Sequence, residues 1–254
     1  MERKLKAFER LLNIMDELRE KCPWDRKQTM QTLRNLTIEE TYELADAILE
    51  SDLEEIKEEL GDLMLHMVFY AKIAEEMQAF DIADVLDGVC EKLISRHPHI
   101  YGDVKVNGEE DVMKNWEQLK LKEGKKSVLS GVPNSLPALI KAQRMQEKTA
   151  QVGFEWDKIE DVWDKVEEEM EELKQAILSK DQAKVQEEYG DVLFSLVNYG
   201  RFLKVDPETS LELINKKFKK RFQYIESKAP KPLSEMTLAE MDELWNEAKE
   251  KELI

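Results

Sequence analysis

Residues 37–63 read TIEETYELADAILESDLEEIKEELGDL, and their apolar side chains recur at helical spacing on both sides of a short polar turn. The spacing predicts one helix over residues 37–49. Ser51 or Asp52 is typical of the N-cap of a second helix, because glutamates follow three residues later. That helix is expected to continue through Ile73. Because the turn is tight, we expect the two helices to lie side by side as an antiparallel hairpin.

Helical periodicity also dominates the rest of the chain. In residues 7–18 the apolar side chains fall at intervals of three and four, and residues 81–93 predict a further helix. No stretch alternates apolar and polar residues between hairpin turns, as strands would. With nine Gly and seven Pro, the chain also lacks the turn-rich composition of a β-sandwich. The sequence therefore predicts an all-α fold.

The charge balance limits the classes of function. The 254 residues include 55 acidic and 38 basic side chains, which gives a net charge of −17. A protein this acidic repels phosphate backbones, so broad binding of duplex nucleic acid is not expected. The apolar stretch 63–74 is interrupted by His66 and Lys72 and is too short to span a bilayer. The sequence shows no apolar leader and has two isolated cysteines, which favours a reducing, cytoplasmic location without a membrane partner.

The chain contains an internal duplication. The pattern Glu-Glu-x-x-Glu that begins at Glu39 recurs at Glu168, and the pattern Glu-x-Gly-Asp at Glu59 recurs at Glu188. Both patterns are shifted by 129 positions, and each copy places 15 residues between its third and fourth glutamate. These coincident spacings predict two related helical-bundle domains.

The predicted domains are residues 1–123 and residues 138–254. The segment 124–137 between them is rich in Gly, Pro, Lys and Ser, a composition typical of a loop, and is predicted to be the linker.

The repeated carboxylates stand at spacings that place them on one face of a helix. Glu39 and Glu40 precede Glu43 by four and three residues, and Glu59 precedes Asp62 by three. Across an antiparallel helix pair these side chains would converge. Close like charges raise pKa values or require a cation, and oxygen ligands favour Mg²⁺ or Mn²⁺. A solvated glutamate-rich face is the alternative interpretation, and the second copy at identical spacing favours the metal site.

Gly61 and Gly190 occupy the same place beside the aspartate of each copy. A glycine inside a helix costs about 1 kcal/mol relative to alanine. Its recurrence predicts the close approach of another helix or of a ligand, and tight helix packing alone is an equally good interpretation.

Basic and aromatic residues recur four residues apart in both copies. On a helix such pairs share a face, where cations would bind a polyphosphate and a tryptophan would stack on a base. The candidates are Lys92 with Arg96 and Trp116 with Lys120 in the first copy, and Lys217 with Arg221 and Trp245 with Lys249 in the second. For either tryptophan alone, a place in the core is the better interpretation. Lys165 lies three residues before Glu168, whereas its counterpart is Leu36.

Two other classes of function stay open at this point. A carboxylate-bridged di-iron bundle needs Glu-x-x-His on paired helices, and neither Glu59 nor Glu188 has a histidine three residues later. A non-enzymatic helical module would bind basic partners through its acidic face, but it leaves the matched spacings unexplained. His66 follows Asp62 by four residues, yet its counterpart is Ser195, which argues against a shared metal ligand.

These residues resemble the MazG family of nucleoside triphosphate pyrophosphohydrolases. The family signature is E-E-x-x-E, a spacer and E-x-x-D, and both copies match it in full. The resemblance extends to Cys22-Pro-Trp-Asp25, Arg96-His-Pro-His99, Gly131-Val-Pro133 and Val152-Gly-Phe-Glu-Trp-Asp157, and it covers nearly the whole chain. Related all-α enzymes such as dimeric dUTPases share the signature, so a dUTPase-like or other nucleotide pyrophosphatase is the alternative within this superfamily.

The resemblance implies an all-α pyrophosphatase fold whose helical bundles associate as homodimers. It implies hydrolysis of a nucleoside triphosphate to the monophosphate and pyrophosphate, with water attacking the α-phosphorus and with broad tolerance of the base. Mg²⁺ would be the cofactor, with Mn²⁺ as an alternative. Some members of the family use only the second domain, and the two complete motifs of this chain are compatible with one active site or two.

The resemblance also assigns a role to each matched residue. The metal would be held by Glu40, Glu43, Glu59 and Asp62 in the first domain, and by Glu169, Glu172, Glu188 and Asp191 in the second. Glu39 or Glu168 would orient or deprotonate the attacking water. The nucleotide would contact Lys165, Lys217, Arg221, Trp245 and Lys249, with Lys92, Arg96, Trp116 and Lys120 as the candidates in the first domain. Leu36 in place of a lysine favours the second site.

Overall fold

The computed structural model describes residues 1–108, 111–112, 115 and 127–251. Within them the chain forms helices and short 3-10 turns and no strand, which confirms the all-α class. The helices are α1 (Glu2–Lys21), α2 (Met30–Glu50), α3 (Leu53–Glu76), α4 (Ile82–Arg96), α5 (Pro98–Tyr101), α6 (Ala138–Ala150), α7 (Ile159–Ser179), α8 (Gln182–Phe202), α9 (Pro207–Lys228) and α10 (Leu238–Glu250). None of these helices is long and apolar enough to cross a bilayer.

The chain divides into two compact units, and each contains one copy of the duplicated pattern. The first unit is Met1–Gly108, and the second comprises residues 109–254. The predicted domain ends at 123 and the predicted linker begins at 124, and both positions lie outside the described residues. The boundaries 1–123, 124–137 and 138–254 therefore stay predictions.

The first unit is built on the hairpin of α2 and α3. Ser51 ends α2 in the left-handed conformation, with φ 57°, and Asp52 then caps α3. The backbone N–H groups of Glu54 and Glu55 donate to the Asp52 carboxylate at 3.0 and 3.1 Å. The predicted tight turn is therefore present, and it makes α2 and α3 packed neighbours.

Helix α2 begins earlier than the predicted start at residue 37. Thr29 is its N-cap, because the Thr29 hydroxyl accepts a hydrogen bond from the backbone N–H of Thr32 at 3.2 Å. In return, the Thr32 hydroxyl accepts from the backbone N–H of Thr29 at 2.9 Å. This reciprocal capping stabilises the first turn. Met30, Leu33 and Leu36 recur every three residues and pack in the core, so the apolar spacing itself extends to the observed start.

The hydrophobic core of the first unit lies where α1 crosses the hairpin. Met15 of α1, Leu33 of α2 and Phe69 of α3 are almost wholly buried against one another, together with Val68 and Ile73. Burial of this apolar surface is the main stabilisation of the unit. It also holds α2 and α3 at a fixed separation, which positions the polar side chains at their other face.

The second unit repeats the hairpin with α7 and α8. Lys180 takes the left-handed conformation of Ser51, with φ 58°, and Asp181 caps α8 as Asp52 caps α3. The duplication therefore extends from the residue pattern to the backbone of the turn. Helix α6 packs against α8, while α9 packs against α6, α8 and α10. The MazG-type pattern thus lies twice in one all-α chain.

Candidate metal and nucleotide site

Each hairpin brings three glutamates together. In the first unit, one carboxylate oxygen from each of Glu40, Glu43 and Glu59 lies within 4.8 Å of the other two. We call these three residues the first acidic cluster. Helix α2 contributes Glu40 and Glu43 from successive turns, and α3 contributes Glu59 from across the hairpin. The predicted convergence of carboxylates is therefore present in the structure.

The second acidic cluster has the same construction. Glu169 and Glu172 of α7 and Glu188 of α8 place one oxygen each within 4.8 Å of one another. Glu169 is only 6% exposed, whereas Glu172 faces solvent. Three of the four predicted metal ligands thus converge in each unit.

The remaining predicted ligands, Asp62 and Asp191, are exposed and lie outside these triplets. Their charges still act on the clusters. Burial and the Glu43 carboxylate raise the pKa of Glu59, and Asp62 adds to the effect. Burial and the Glu172 carboxylate likewise raise the pKa of Glu188, with a further contribution from Asp191. Both aspartates therefore lie near enough to join a shared ligand set.

The carboxylates of the first acidic cluster repel one another, and one of their buried oxygens has no hydrogen-bond partner among the described residues. Burial, followed by the charges of Glu43 and Asp62, raises the pKa of Glu40 to about 7. Glu59 Oε2 is buried and has no hydrogen-bond partner among the described residues. Protonation or a bound cation relieves such a set of converging charges. Since every donor is a carboxylate oxygen, the cation that fits is a hard one such as Mg²⁺ or Mn²⁺.

Lys165 makes the second cluster different. Its Nζ lies 2.8 Å from Glu169 Oε1 and 2.9 Å from Glu168 Oε1, and these contacts raise the pKa of Lys165. Leu36, at the equivalent position of the first unit, instead packs against the hydrophobic core. The predicted catalytic residues Glu168 and Glu39 are both exposed, and Glu168 is already paired with Lys165.

The repeated glycines border open space. A methyl group built at Gly61 or Gly190 would meet no atom of the described chain within 4 Å, apart from its own helix. Among the described residues, these glycines therefore do not serve tight packing against another helix. The alternative, the approach of a ligand beside the carboxylates, keeps its support.

A cavity of about 230 Å³ opens beside the second acidic cluster. Helices α6, α7 and α8 and residues 154–156 form its walls. Lys165, Glu169 and Asp191 line it at the acidic side, and the aromatic rings of Trp156 and Phe194 line it elsewhere. We call this space the α6–α8 cavity. An acidic cluster that opens into a partly apolar cleft has the composition of a small-molecule site.

Sequence reasoning missed most of this lining, including Gln146, Phe154, Asn198 and Arg201. Part of the signal was present, because Asp191, Ser195 and Asn198 follow one another at intervals of four and three on α8. Polar residues at helical spacing within an otherwise apolar helix mark a polar strip that needs a partner. The contributions of α6 and of residues 154–156 carry no such spacing.

The predicted nucleotide-binding residues of α9 and α10 form a separate group. The Arg221 guanidinium lies 5.5 Å from the centre of the half-buried Trp245 ring, which also contacts Phe218 at 5.2 Å. Arg221 Nε is buried without a partner among the described residues. Lys217 precedes Arg221 by one turn, and Lys249 is exposed one turn after Trp245. None of these four residues is among the described residues that line the α6–α8 cavity.

The first-unit candidates are less defined. Lys92 is exposed and Arg96 is half-buried in the last turn of α4. Trp116 and Lys120 lie outside the described residues. His66 is buried, burial lowers its pKa, and it belongs to neither acidic cluster. Both groups consist of glutamates alone, so the described residues give no support to a di-iron site with histidine ligands.

A model described as the MazG nucleotide pyrophosphohydrolase domain matches residues 28–101 and 158–225. The chain is 41% identical to the nucleoside triphosphate pyrophosphohydrolase of Escherichia coli K12, over 98% of this chain and 99% of that protein. It is 47% identical to the nucleoside triphosphate pyrophosphohydrolase/pyrophosphatase MazG of Thermotoga maritima, over 95% of each. A solved MazG-related protein from Thermotoga maritima is 32% identical, with a TM-score of 0.40 over 44% of this chain and 98% of that one.

The two matched segments each contain one acidic hairpin, α2–α3 in the first and α7–α8 in the second. The match is therefore to the duplicated elements that carry the clusters, and the relatives extend it to nearly the full chain. The chain belongs to the MazG family of nucleotide pyrophosphohydrolases, with two copies of the family domain.

Proposed function

We propose that this protein hydrolyses nucleoside triphosphates to the monophosphate and pyrophosphate, with broad base specificity. In this reaction the oxygen of water attacks the α-phosphorus, and the bond from the α-phosphorus to the bridging oxygen breaks. Pyrophosphate then leaves with the bond's electron pair. The observation that carries the proposal is the convergence of three carboxylate oxygens within 4.8 Å in each of two hairpins at the same sequence spacing. The names of the close relatives support the same activity.

We further propose that Mg²⁺, or Mn²⁺ in its place, is held by these carboxylates. The fit rests on the oxygen-only donor set and on the unpartnered Glu59 Oε2. The ligands would be Glu40, Glu43, Glu59 and Asp62 in the first unit, and Glu169, Glu172, Glu188 and Asp191 in the second. When bound, such a cation polarises phosphate oxygens and lowers the pKa of a coordinated water.

The remaining residues would position the substrate and move a proton. Glu168 is exposed at the rim of the second cluster, where its carboxylate can accept a proton from the attacking water, and Glu39 is its counterpart. Lys165 offsets part of the negative charge that would otherwise repel the triphosphate. Lys217, Arg221 and Lys249 present cations for phosphate oxygens, with Trp245 beside them.

The second unit is the stronger candidate for the active site. It has both Lys165 and the α6–α8 cavity. In the first unit, Leu36 and Phe69 occupy the positions that correspond to Lys165 and Asn198, and both belong to or pack against the core. A nucleotide therefore has a cleft beside the second acidic cluster. At the two corresponding positions of the first unit, apolar side chains pack in or against the hydrophobic core.

Product analysis tests this proposal. With Mg²⁺ and each of the four common NTPs, we expect monophosphate and pyrophosphate, separated by ion-exchange chromatography. Formation of diphosphate and orthophosphate would contradict the reaction. Glu172→Gln is expected to lower kcat/KM at least on the order of 100-fold, because it removes a converging ligand. Glu43→Gln, the same change in the first unit, is expected to leave most of the activity.

Glu171→Gln is the matched control, because Glu171 neighbours Glu172 on α7 but pairs on the surface with Lys174. It is expected to retain wild-type turnover. Equal losses in the Glu171 and Glu172 variants would contradict the assignment of the cluster. Loss with Glu43→Gln alone would move the active site to the first unit.

The predicted homodimer and the predicted cytoplasmic location belong to the same proposal. Leu211, Ile214 and Phe218 support the dimer, because they lie on one face of α9 and are each at least half exposed. The two free thiols of Cys22 and Cys90 are compatible with a reducing compartment.

A further inference from the structure

The α6–α8 cavity has a buried hydrogen-bond acceptor that the fold does not use. Gln146 of α6 lines the cavity and is only 7% exposed. Its Nε2 donates to the backbone oxygen of Phe194 at 2.9 Å, which determines the orientation of the amide. Oε1 is therefore the free end, and it is buried with no donor among the described residues. A buried acceptor without a donor destabilises a fold, which indicates a position completed by a ligand.

Two neighbouring polar side chains of the cavity wall, Asn198 and Arg201, are bonded to each other. Asn198 Oδ1 accepts from Arg201 Nε at 3.2 Å and from Arg201 Nη2 at 2.9 Å. Arg201 also pairs with Glu155, whose other oxygen accepts the backbone N–H of Trp156 at 3.0 Å. This chain of contacts ties α8 to residues 154–156 and holds the wall of the cavity in place. Gln146 Oε1 is thus a buried acceptor that these contacts leave available.

The other walls suit a flat ring. Phe154, Trp156 and Phe194 line the cavity as aromatic side chains, and Met145 and Val162 add aliphatic surface. Aromatic walls bind the faces of a base with little regard to its identity. The volume of about 230 Å³ is below that of a pocket for a whole drug-sized ligand, so it suits one ring system. The phosphates would extend toward Lys165 and Glu169 at the acidic side.

We propose that the α6–α8 cavity holds the nucleobase and that Gln146 Oε1 accepts a hydrogen bond from an amino or imino N–H of that base. The proposal rests on the proposed nucleotide substrate. Adenine and cytosine offer an exocyclic amino group, and guanine, uracil and thymine offer a ring N–H. One acceptor therefore accommodates all five bases, and it discriminates against a base that has no N–H donor.

The first unit does not have this arrangement at the corresponding positions. Phe69 occupies the position that corresponds to Asn198 of the second unit, and it is 3% exposed in the hydrophobic core. Leu36 and Leu65 pack against the same hydrophobic core. Apolar core residues therefore fill these positions of the first unit, and the proposal applies to the second unit.

The test removes the donor from the substrate. Purine ribonucleoside triphosphate differs from ATP only in lacking the 6-amino group, which is the sole N–H of the adenine ring in a nucleotide. Wild-type protein with Mg²⁺ is expected to favour ATP in kcat/KM on the order of tenfold. In Gln146→Leu the ratio is expected to fall to about one, mainly through KM for ATP. A wild-type ratio near one overturns the proposal without any variant.

Gln143→Leu is the matched control, because it is the same substitution on the same helix, α6. Gln143 contacts Glu147 and is not among the residues that line the cavity. It is expected to keep the wild-type ratio. An equal fall in both variants would overturn the role of Gln146.

A binding measurement separates this proposal from the proposed function. Calorimetric titration of adenosine and purine riboside into metal-free protein needs no turnover. Adenosine is expected to bind wild type and Gln143→Leu more tightly than purine riboside, and Gln146→Leu is expected to lose the difference. If pyrophosphate is released but neither assay distinguishes the two purines, the cavity assignment is wrong and the proposed function stands. If adenosine is bound more tightly than purine riboside but no pyrophosphate forms, the cavity assignment stands and the proposed function is wrong.

Discussion

Glu40 and Glu169 occupy the same position of the duplicated pattern, but the residue one turn before each is different. Glu169 pairs with Lys165, whereas Leu36 stands at the equivalent place beside Glu40. Without a cation, burial and the charges of Glu43 and Asp62 raise the pKa of Glu40 to about 7. The second cluster thus has a lysine that offsets part of its negative charge, and the first cluster has a leucine at that position.

The raised pKa of Glu40 predicts a pH-dependent stability in metal-free protein. A folded-state pKa above the unfolded value means that the folded state binds the proton more tightly, so this contribution is present at low pH and is lost as pH rises from about 4.5 through about 7. Glu40→Gln removes the loss. We expect the variant to unfold at a higher temperature than wild type at pH 8 and at a similar temperature at pH 4.5, as measured by calorimetry in EDTA.

Glu58→Gln serves as the control for that experiment, because Glu58 is exposed on α3 and belongs to neither acidic cluster. Its difference from wild type is expected to be the same at both pH values. If Glu40→Gln also shifts the unfolding temperature equally at both, the burial of an uncompensated carboxylate is contradicted. Added Mg²⁺ is expected to stabilise wild type at pH 8 more than the Glu40 variant.

At the scale of the element, the turn between the two hairpin helices determines which glutamates of one helix lie opposite those of the other. Ser51 and Lys180 are both left-handed, a conformation that glycine adopts without the steric cost of a Cβ atom. Lys180→Gly is therefore expected to increase the free energy of unfolding by roughly 0.5–1 kcal/mol. This gain would be measured as a higher midpoint of thermal unfolding. Lys180→Ala keeps the Cβ atom while removing the same long side chain, so it is expected to give no gain. Equal midpoints in the two variants would contradict the strained turn.

The hairpins are also the part of the fold that sequence reasoning recovers. Their converging glutamates come from two adjacent helices, so spacing within one short segment was enough to predict that Glu43 and Glu59 converge. The α6–α8 cavity was not predictable in this way, because Gln146 and Trp156 reach it from separate elements. The start of α2 at Met30 was also readable from the sequence, because Thr29 is a capping residue and Met30, Leu33 and Leu36 recur every three residues.

At the scale of the whole molecule, the exposed face of α9 predicts self-association. Leu211 and Ile214 are 50% and 55% exposed, more than is favourable for neighbouring aliphatic side chains in water. Light scattering is expected to give twice the chain mass of 29.8 kDa for wild type. Ile214→Asp is expected to give the mass of one chain, because it places a charge within the apolar face.

Leu238→Asp controls for the added charge, because Leu238 is 81% exposed and lies at the start of α10 rather than on α9. It is expected to keep the wild-type mass. A single-chain mass for wild type would contradict the proposed homodimer, and dissociation by both variants would contradict the assignment to α9.

Each acidic hairpin holds its converging glutamates within one continuous segment of chain, closed by a turn of the same conformation. A segment of this kind can be copied by one genetic event with its cluster of glutamates intact. Its surroundings are then free to diverge. One descendant can fill its flank with leucine and phenylalanine while its twin keeps an open, polar cleft. The same locality makes residues 159–202 a candidate for transplantation onto an unrelated helical scaffold.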